Sequence, residues 1–144
     1  MGVVVRKACL GDLSSVRRLY DGLSAGGGIV EEWEGMFKAI EARKDVHLLV
    51  AELDGVVVGT CSLYVLPTLA HGVRNLSFVE YVMVDEKYQR RGVGRRLMEE
   101  CVRIARKAGS YKLFVPSSFQ RERAHAFYEK VGFTRYGHAF KIDL

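Results

Sequence analysis

Residues 78–109 read FVEYVMVDEKYQRRGVGRRLMEECVRIARKAG, and the stretch changes character twice. Val79 to Val84 is an apolar run rich in Val and Tyr, broken by one carboxylate, Glu80, and closed by Asp85–Glu86–Lys87. That composition predicts a buried strand. A glycine-spaced basic loop follows, Gln89–Arg90–Arg91–Gly92–Val93–Gly94. Beyond it Leu97, Met98, Cys101, Val102, Ala105 and Ala108 recur at helical spacing on one face. Arg95/Glu99, Arg96/Glu100 and Glu99/Arg103 stand four apart and support the solvent side of that helix.

A strand feeding a glycine turn that opens a helix has a physical use. The first amides of a helix lack intrahelical partners and point out of its N-terminus, where the dipole favours an anion. Glycines let a phosphate approach that backbone without a Cβ in the way. Arg90, Arg91, Arg95 and Arg96 add positive charge at the same mouth. The expected guest is a phosphate or pyrophosphate.

The 144 residues suffice for one domain that buries about two-thirds of its unfolded surface. At 49% hydrophobic and 27% charged, the composition is that of a soluble globular chain. No apolar run approaches the roughly 20 residues of a membrane span. MGVVVRKACLGD carries no secretory pattern, so a cytoplasmic location is expected, with no membrane partner. Cys9, Cys61 and Cys101 are widely spaced and odd in number, which favours reduced, packed thiols over disulfides or zinc. A net charge of +5 favours anionic partners. The arginines gather at one loop instead of forming a stripe, so a phosphorylated small molecule is expected rather than nucleic acid.

Upstream, Val3–Val4–Val5 opens a first strand, and Asp12 is a candidate N-cap for a helix from Leu13 to about Leu23. Ser24–Ala25–Gly26–Gly27–Gly28 reads as a connector, since no Lys-Ser or Lys-Thr follows to make it a phosphate cradle. Glu31 to Arg43 is a second helix with Trp33, Met36, Phe37 and Ile40 at helical spacing. Trp33 is either core or a wall of a substrate cleft. Val46–Leu53 and Val56–Val65 are strands joined by the hairpin signal Asp54–Gly55, and Gly59 marks a bulge or close approach. His71 and Arg74 stand in the loop entering the Glu80 strand and are candidate substrate contacts.

Downstream, Tyr111 to Val115 is a short strand closed by Pro116, and Ser117–Gln120 leads into a helix from Arg121 to Val131. Gly132 is its expected C-cap. Phe133–Tyr136 and Ala139–Ile142 are expected to form a final strand or hairpin around Gly137. The order β-α-α-β-β-β-α-β-α-β predicts an α+β (mixed α/β) fold: a single mixed, mostly antiparallel sheet flanked by about four helices. Strands and helices do not alternate as a doubly wound fold requires.

The glycine loop lacks the third glycine of a dinucleotide fingerprint, and no Gly-Lys-Ser/Thr is present. His47, His71, His125 and His138 have no zinc spacing, so no metal is expected. With its carboxylate-bearing strand, Gln89-x-x-Gly92-x-Gly94 and Ala124-His125-Ala126-Phe127-Tyr128-Glu129-Lys130-Val131-Gly132-Phe133, the chain resembles the GNAT superfamily of acetyl-CoA-dependent N-acetyltransferases. The specific motifs cover residues 78–133, and the resemblance implies one acetyltransferase domain over 1–144.

The resemblance implies that amides from Arg90 through Arg91, Gly92, Val93 and Gly94 to Arg95 wrap the pyrophosphate of acetyl-CoA, next to Gln89. It implies that the pantetheine arm pairs with backbone at Val82, Met83 and Val84, where a splay from the Leu113 strand makes room. It implies a base at Glu80, a thiolate-facing hydroxyl at Tyr128, and a backbone N–H from Met83 or Val84 on the carbonyl. A charged carboxylate left unpaired in an apolar strand is costly, which favours a working base over a structural one. Many relatives carry Asn seven residues before the tyrosine, where this chain has Arg121. Arg121 or Arg123 is then expected to meet a CoA phosphate or the acceptor, with Ser117 or Ser118 replacing the polar contact. The reading is acetyl transfer to a primary amine of a small molecule, by an enzyme of a kind commonly homodimeric. The alternatives are a protein lysine or N-terminal acetyltransferase and a non-catalytic acyl-CoA-binding module.

Overall fold

Asp54 and Gly55, with φ of 51° and 78°, make the two-residue turn that joins β2 (Val46–Leu53) to β3 (Val56–Leu66). Positive φ at both positions gives a turn whose twist matches that of the flanking strands. The computed structural model describes residues 2–21 and 27–144. Its five-stranded sheet runs in sequence order, with β1 (Val4–Lys7) antiparallel to β2 and β3 antiparallel to both β2 and β4 (Asn75–Val84). β5 (Ser110–Phe114) alone is parallel to its neighbour, β4. That pairing needs a crossover, which the helix Val93–Lys107 supplies.

α1 (Leu13–Tyr20) and α2 (Val30–Glu41) precede the hairpin, and a four-residue helical turn, α3 (Ala70–Val73), precedes β4. α4 (Val93–Lys107) follows the glycine loop, and α5 (Glu122–Lys130) ends at Gly132 with φ of 104°. The mixed, mostly antiparallel sheet with its flanking helices is the predicted fold class. Leu23, Ser24, Ala25 and Gly26 lie outside the described residues.

Several local expectations change. The Asp12 side chain does not cap α1. Its Oδ2 accepts from the Cys9 N–H at 2.8 Å and from Arg6 Nη1 at 2.7 Å, so the carboxylate is taken by an ion pair. On α4 the closed ion pairs are Arg96–Glu99 and Glu100–Arg103, three apart rather than four. Cys61 and Cys101 are buried free thiols 3.6 Å apart, but Cys9 is exposed rather than packed. No strand forms after α5: residues 133–144 have no partner strand among the described residues, so the alternation of Phe133 to Ile142 has no ladder to join.

The alternation along β2 divides the core. Leu49 and Ala51 face a cluster with Leu63, Val79, Val93, Leu97, Met98 and Tyr128, under α4 and α5. Val50 faces the other side, with Val16 and Leu19 of α1. Gly59 lies at the bulge between Ala51 and Glu52, and a Cβ there would stand 2.8 Å from Val93 Cγ1. Gly94 is equally tight: its Cβ would meet Phe127 Cζ at 2.9 Å. These two glycines seat the N-terminus of α4 on the sheet and against α5.

Candidate active site

In β4, Glu80 pairs with Ser62 and Met83 with Thr60, leaving Tyr81 and Val82 opposite Cys61. Two residues against one is a β-bulge, and Tyr81 takes a φ of 56° to make it. The bulge breaks strand alternation, so Val79, Glu80, Tyr81 and Val82 all line one cleft of about 450 Å³. The cleft opens because the β4–β5 ladder stops at Phe78↔Phe114. Beyond that pair, the β5-facing edge of β4 from Val79 to Val84 is free, and Val115 and Pro116 form the facing wall.

Glu80 reaches this cleft half-buried, with no side-chain partner and no ion pair among the described residues. Burial pushes its carboxyl pKa up, with the Tyr81 N–H pulling the other way. Tyr128, on α5, is 7% exposed and lines the same cleft. Burial raises its pKa, opposed by the charge of Arg121, which also lines the cleft. The outer wall is aromatic, with the Tyr20 ring 6.0 Å from Trp33 and 6.2 Å from Tyr81. Trp33 is held by its Nε1–H donating to the Gly27 carbonyl at 3.0 Å and by Arg17 over its ring.

The loop at the N-terminus of α4 gathers free amides and positive charge. Gln89 N–H donates to Glu86, and the next backbone donor with a backbone acceptor is Arg96. Among the described residues, the N–H groups of Arg90 to Arg95 therefore have no backbone acceptor. Arg90 and Gly92 adopt φ of 62° and 82°, which curls successive amides into a concavity of the kind that cradles phosphate. Arg90, Arg91 and Arg95 make no ion pair among the described residues. Gln89 is a tether, its side-chain amide donating to the Val84 carbonyl at 3.5 Å. Gly92 serves through its φ and Gly94 through its packing on Phe127, so clearance for a phosphate is not what requires Gly94. Ser117 Oγ, just past the cleft wall, is buried without a hydrogen-bond partner.

Of the residues singled out in the sequence, the cleft collects Glu80, Val82, Arg121, Tyr128 and Trp33. His71 and Arg74 lie elsewhere, where β4 and β5 begin. The His71 ring stacks on Tyr111 at 4.0 Å, and Arg74 donates to the carbonyls of Gly109 and Ser110. Strand direction explains this: they precede β4, and the cleft is at its far end. Tyr20 and Tyr81 were not foreseen as lining residues. Tyr20 sits in the apolar stripe of α1, and only the bulge brings Tyr81 to the mouth. The described residues contain no cluster of three His, Cys, Asp or Glu able to hold a metal, and no helix long and apolar enough to cross a membrane.

Comparison with known proteins agrees with this architecture. The model of the acetyltransferase (GNAT) family matches residues 16–133. A glucosamine 6-phosphate N-acetyltransferase of Trypanosoma brucei brucei is 36% identical over 90 residues, 62% of this chain, and the chain spans 59% of that enzyme's length. Among solved structures, a putative acetyltransferase from Agrobacterium tumefaciens superposes with a TM-score of 0.91 at 29% identity, covering 98% of this chain and 99% of that one. A glucosamine-6-phosphate N-acetyltransferase from Arabidopsis thaliana shares the fold, with a TM-score of 0.88 at 21% identity over 99% of each chain. The bulged and splayed β4, the amide-lined loop and the family match together place this chain in the GNAT acetyltransferase family.

Proposed function

We propose that the chain moves an acetyl group directly from acetyl-CoA to a primary amine of a small molecule, and does so as a homodimer. The observation that carries this reading is one cleft holding Glu80, free of any ion pair among the described residues, and a buried Tyr128 beside a free strand edge. The residues present fit acetyl-CoA. Six consecutive amides and three arginines suit the pyrophosphate, the free edge from Val82 to Val84 suits the amides of the pantetheine arm, and buried Ser117 Oγ lacks a partner that arm can supply. Bound there, acetyl-CoA supplies an activated thioester.

The chain's own residues do the rest. Glu80 takes a proton from the acceptor ammonium, directly or through a water, because an amine attacks only when neutral. Its raised pKa makes it a better base than an exposed carboxylate. The Tyr128 hydroxyl donates toward the departing thiolate, and the Met83 or Val84 N–H donates to the carbonyl oxygen. The volume of about 450 Å³ suits a small acceptor. Names of relatives and the guanidinium of Arg121 at the cleft support an amino sugar phosphate as the first acceptor to assay. The test is thiol release from acetyl-CoA across an amine panel, run beside Glu80→Gln. Acetyl-CoA that neither raises the thermal midpoint nor is consumed sinks the reading.

A further inference from the structure

The inward row of β2 does not end at Leu49. His47, two residues earlier, lies on the same face of the strand by the alternation that puts Leu49 and Ala51 in the core. At this end the sheet and the C-terminal half of α4 line a second cavity, of about 600 Å³. It shares no lining residue with the cleft that holds Glu80 and Tyr128. The cavity reaches the first residue of β4, Asn75, whereas the cleft takes residues 79–82 of the same strand. The Asn75 side chain donates to the Ala108 carbonyl at 2.9 Å and ties the end of α4 to the start of β4.

The lining divides by chemistry. Leu49, Val65, Pro67, Ile104 and Ala108 make it apolar. Lys7, Lys44 and Lys107 stand in it as well, all exposed and none in an ion pair among the described residues. The two carboxylates of the lining are already taken. Asp45 accepts from Arg43 at 2.9 and 2.7 Å, and Glu100 from Arg103 at 2.9 and 2.6 Å. The charge left over is positive. His47 adds a donor. Its Nδ1 is buried with no hydrogen-bond partner among the described residues, so a proton there would meet no acceptor and the ring carries it on Nε2. Burial and the charge of Lys7 lower the ring's pKa against the pull of Asp45, which keeps the imidazole neutral at pH 7.

We propose that this cavity is a second ligand site, taking a carboxylate carried on an apolar body. Its volume falls within the roughly 300–1,000 Å³ of small-molecule pockets, which combine an apolar lining with a few polar groups in the same way. The apolar body covers Leu49, Val65 and Ile104, while the carboxylate meets the lysines and the His47 Nε2–H. A carboxylate suits the site better than a phosphate. The helix end that borders the cavity is the C-terminus of α4, whose partial negative charge opposes a dianion. The phosphate-holding amides are at the other end of the same helix.

The test titrates octanoate into the chain saturated with CoA and reads binding by calorimetry. One-to-one binding is expected, roughly tenfold or more tighter than acetate, which lacks the apolar body, and than 1-octanol, which lacks the charge. No binding at millimolar octanoate overturns the proposal, and so does octyl phosphate that binds tighter than octanoate. Octanoate that binds only when CoA is left out sits in the catalytic cleft, which also overturns it. Lys7→Gln, Lys44→Gln and Lys107→Gln combined should weaken octanoate about tenfold and leave the KM for acetyl-CoA unchanged. Unaltered octanoate binding in that variant refutes the assignment. In proton NMR the His47 imidazole signal, assigned by its loss in His47→Phe, should move on adding octanoate, and a signal that stays fixed refutes the site. Neither the calorimetry nor the NMR uses acetyl transfer, so a chain that binds octanoate here and acetylates nothing removes the proposed activity and leaves the second site standing.

Discussion

Gly94→Ala separates two roles that a glycine-rich loop confounds. The added Cβ would stand 2.9 Å from Phe127 Cζ and 3.2 Å from Cε1. Restoring an ordinary carbon contact of about 3.5 Å means moving the ring or the helix by about 0.6 Å. Phe127 cannot move freely, because it packs in the core and its ring lies 5.3 Å from Tyr128. Overpacking of this kind costs roughly 1–3 kcal/mol. Alanine in a helix gains up to about 1 kcal/mol over glycine, and less in the first turn. The net expectation is a loss of about 1 kcal/mol in urea denaturation, with a raised KM for acetyl-CoA because the amide loop shifts with α4. In a Phe127→Leu background the clash disappears and the same substitution should become neutral or stabilising. Gly92→Ala supplies the contrast. Its Cβ meets nothing within 4 Å, but φ is 82°, so it should cost roughly 1–2 kcal/mol whatever stands at 127. A stabilised Gly94→Ala in the unaltered background, or equal costs in both backgrounds, would refute the packing argument.

Other consequences are more direct. Glu80→Gln should lower kcat roughly 10²–10⁴-fold. The acid limb of the kcat/KM profile, rising as Glu80 ionises above the usual carboxylate range, should vanish with it; a limb unchanged in the variant removes Glu80 from the base role. Because a carboxyl with a raised folded pKa loses stability on ionising, Glu80→Gln should also raise the thermal midpoint at pH 8 and leave it unaltered well below pH 4. Tyr128→Phe should slow turnover at least tenfold while acetyl-CoA affinity, read by calorimetry, holds; equal loss of both indicates packing. The Arg6 guanidinium holds Asp12 down to about 2 from an ordinary 3.8, worth about 2 kcal/mol on a nearly buried group. That stability is present above pH 4 and lost as pH falls toward 2, so Asp12→Asn should cost about 2 kcal/mol at pH 7 and little near pH 2 in denaturant titrations.

Local chemistry was legible in the chain itself. Val-rich runs, Asp54–Gly55, the amphipathic face of α4 and the basic loop at its mouth each depend on neighbours within a few residues, and such patterns survive without knowledge of the fold. Glu80 and Tyr128 could be named together only because the resemblance to the GNAT family rests on two motifs that carry them. What pairing between strands decides is different. The bulge that turns four consecutive β4 residues to one cleft exists only because β3 supplies Cys61 opposite two of them. For the same reason Tyr20, a core residue by its helical period, becomes a cleft wall through its contacts with Trp33 and Tyr81. His71 and Arg74 are near Glu80 in sequence but a strand length away in space, since an extended strand carries its ends apart at about 3.3 Å per residue. Phe140 to Leu144 carry a strand's alternation, yet a strand exists only where another backbone meets it, and within the described chain none does.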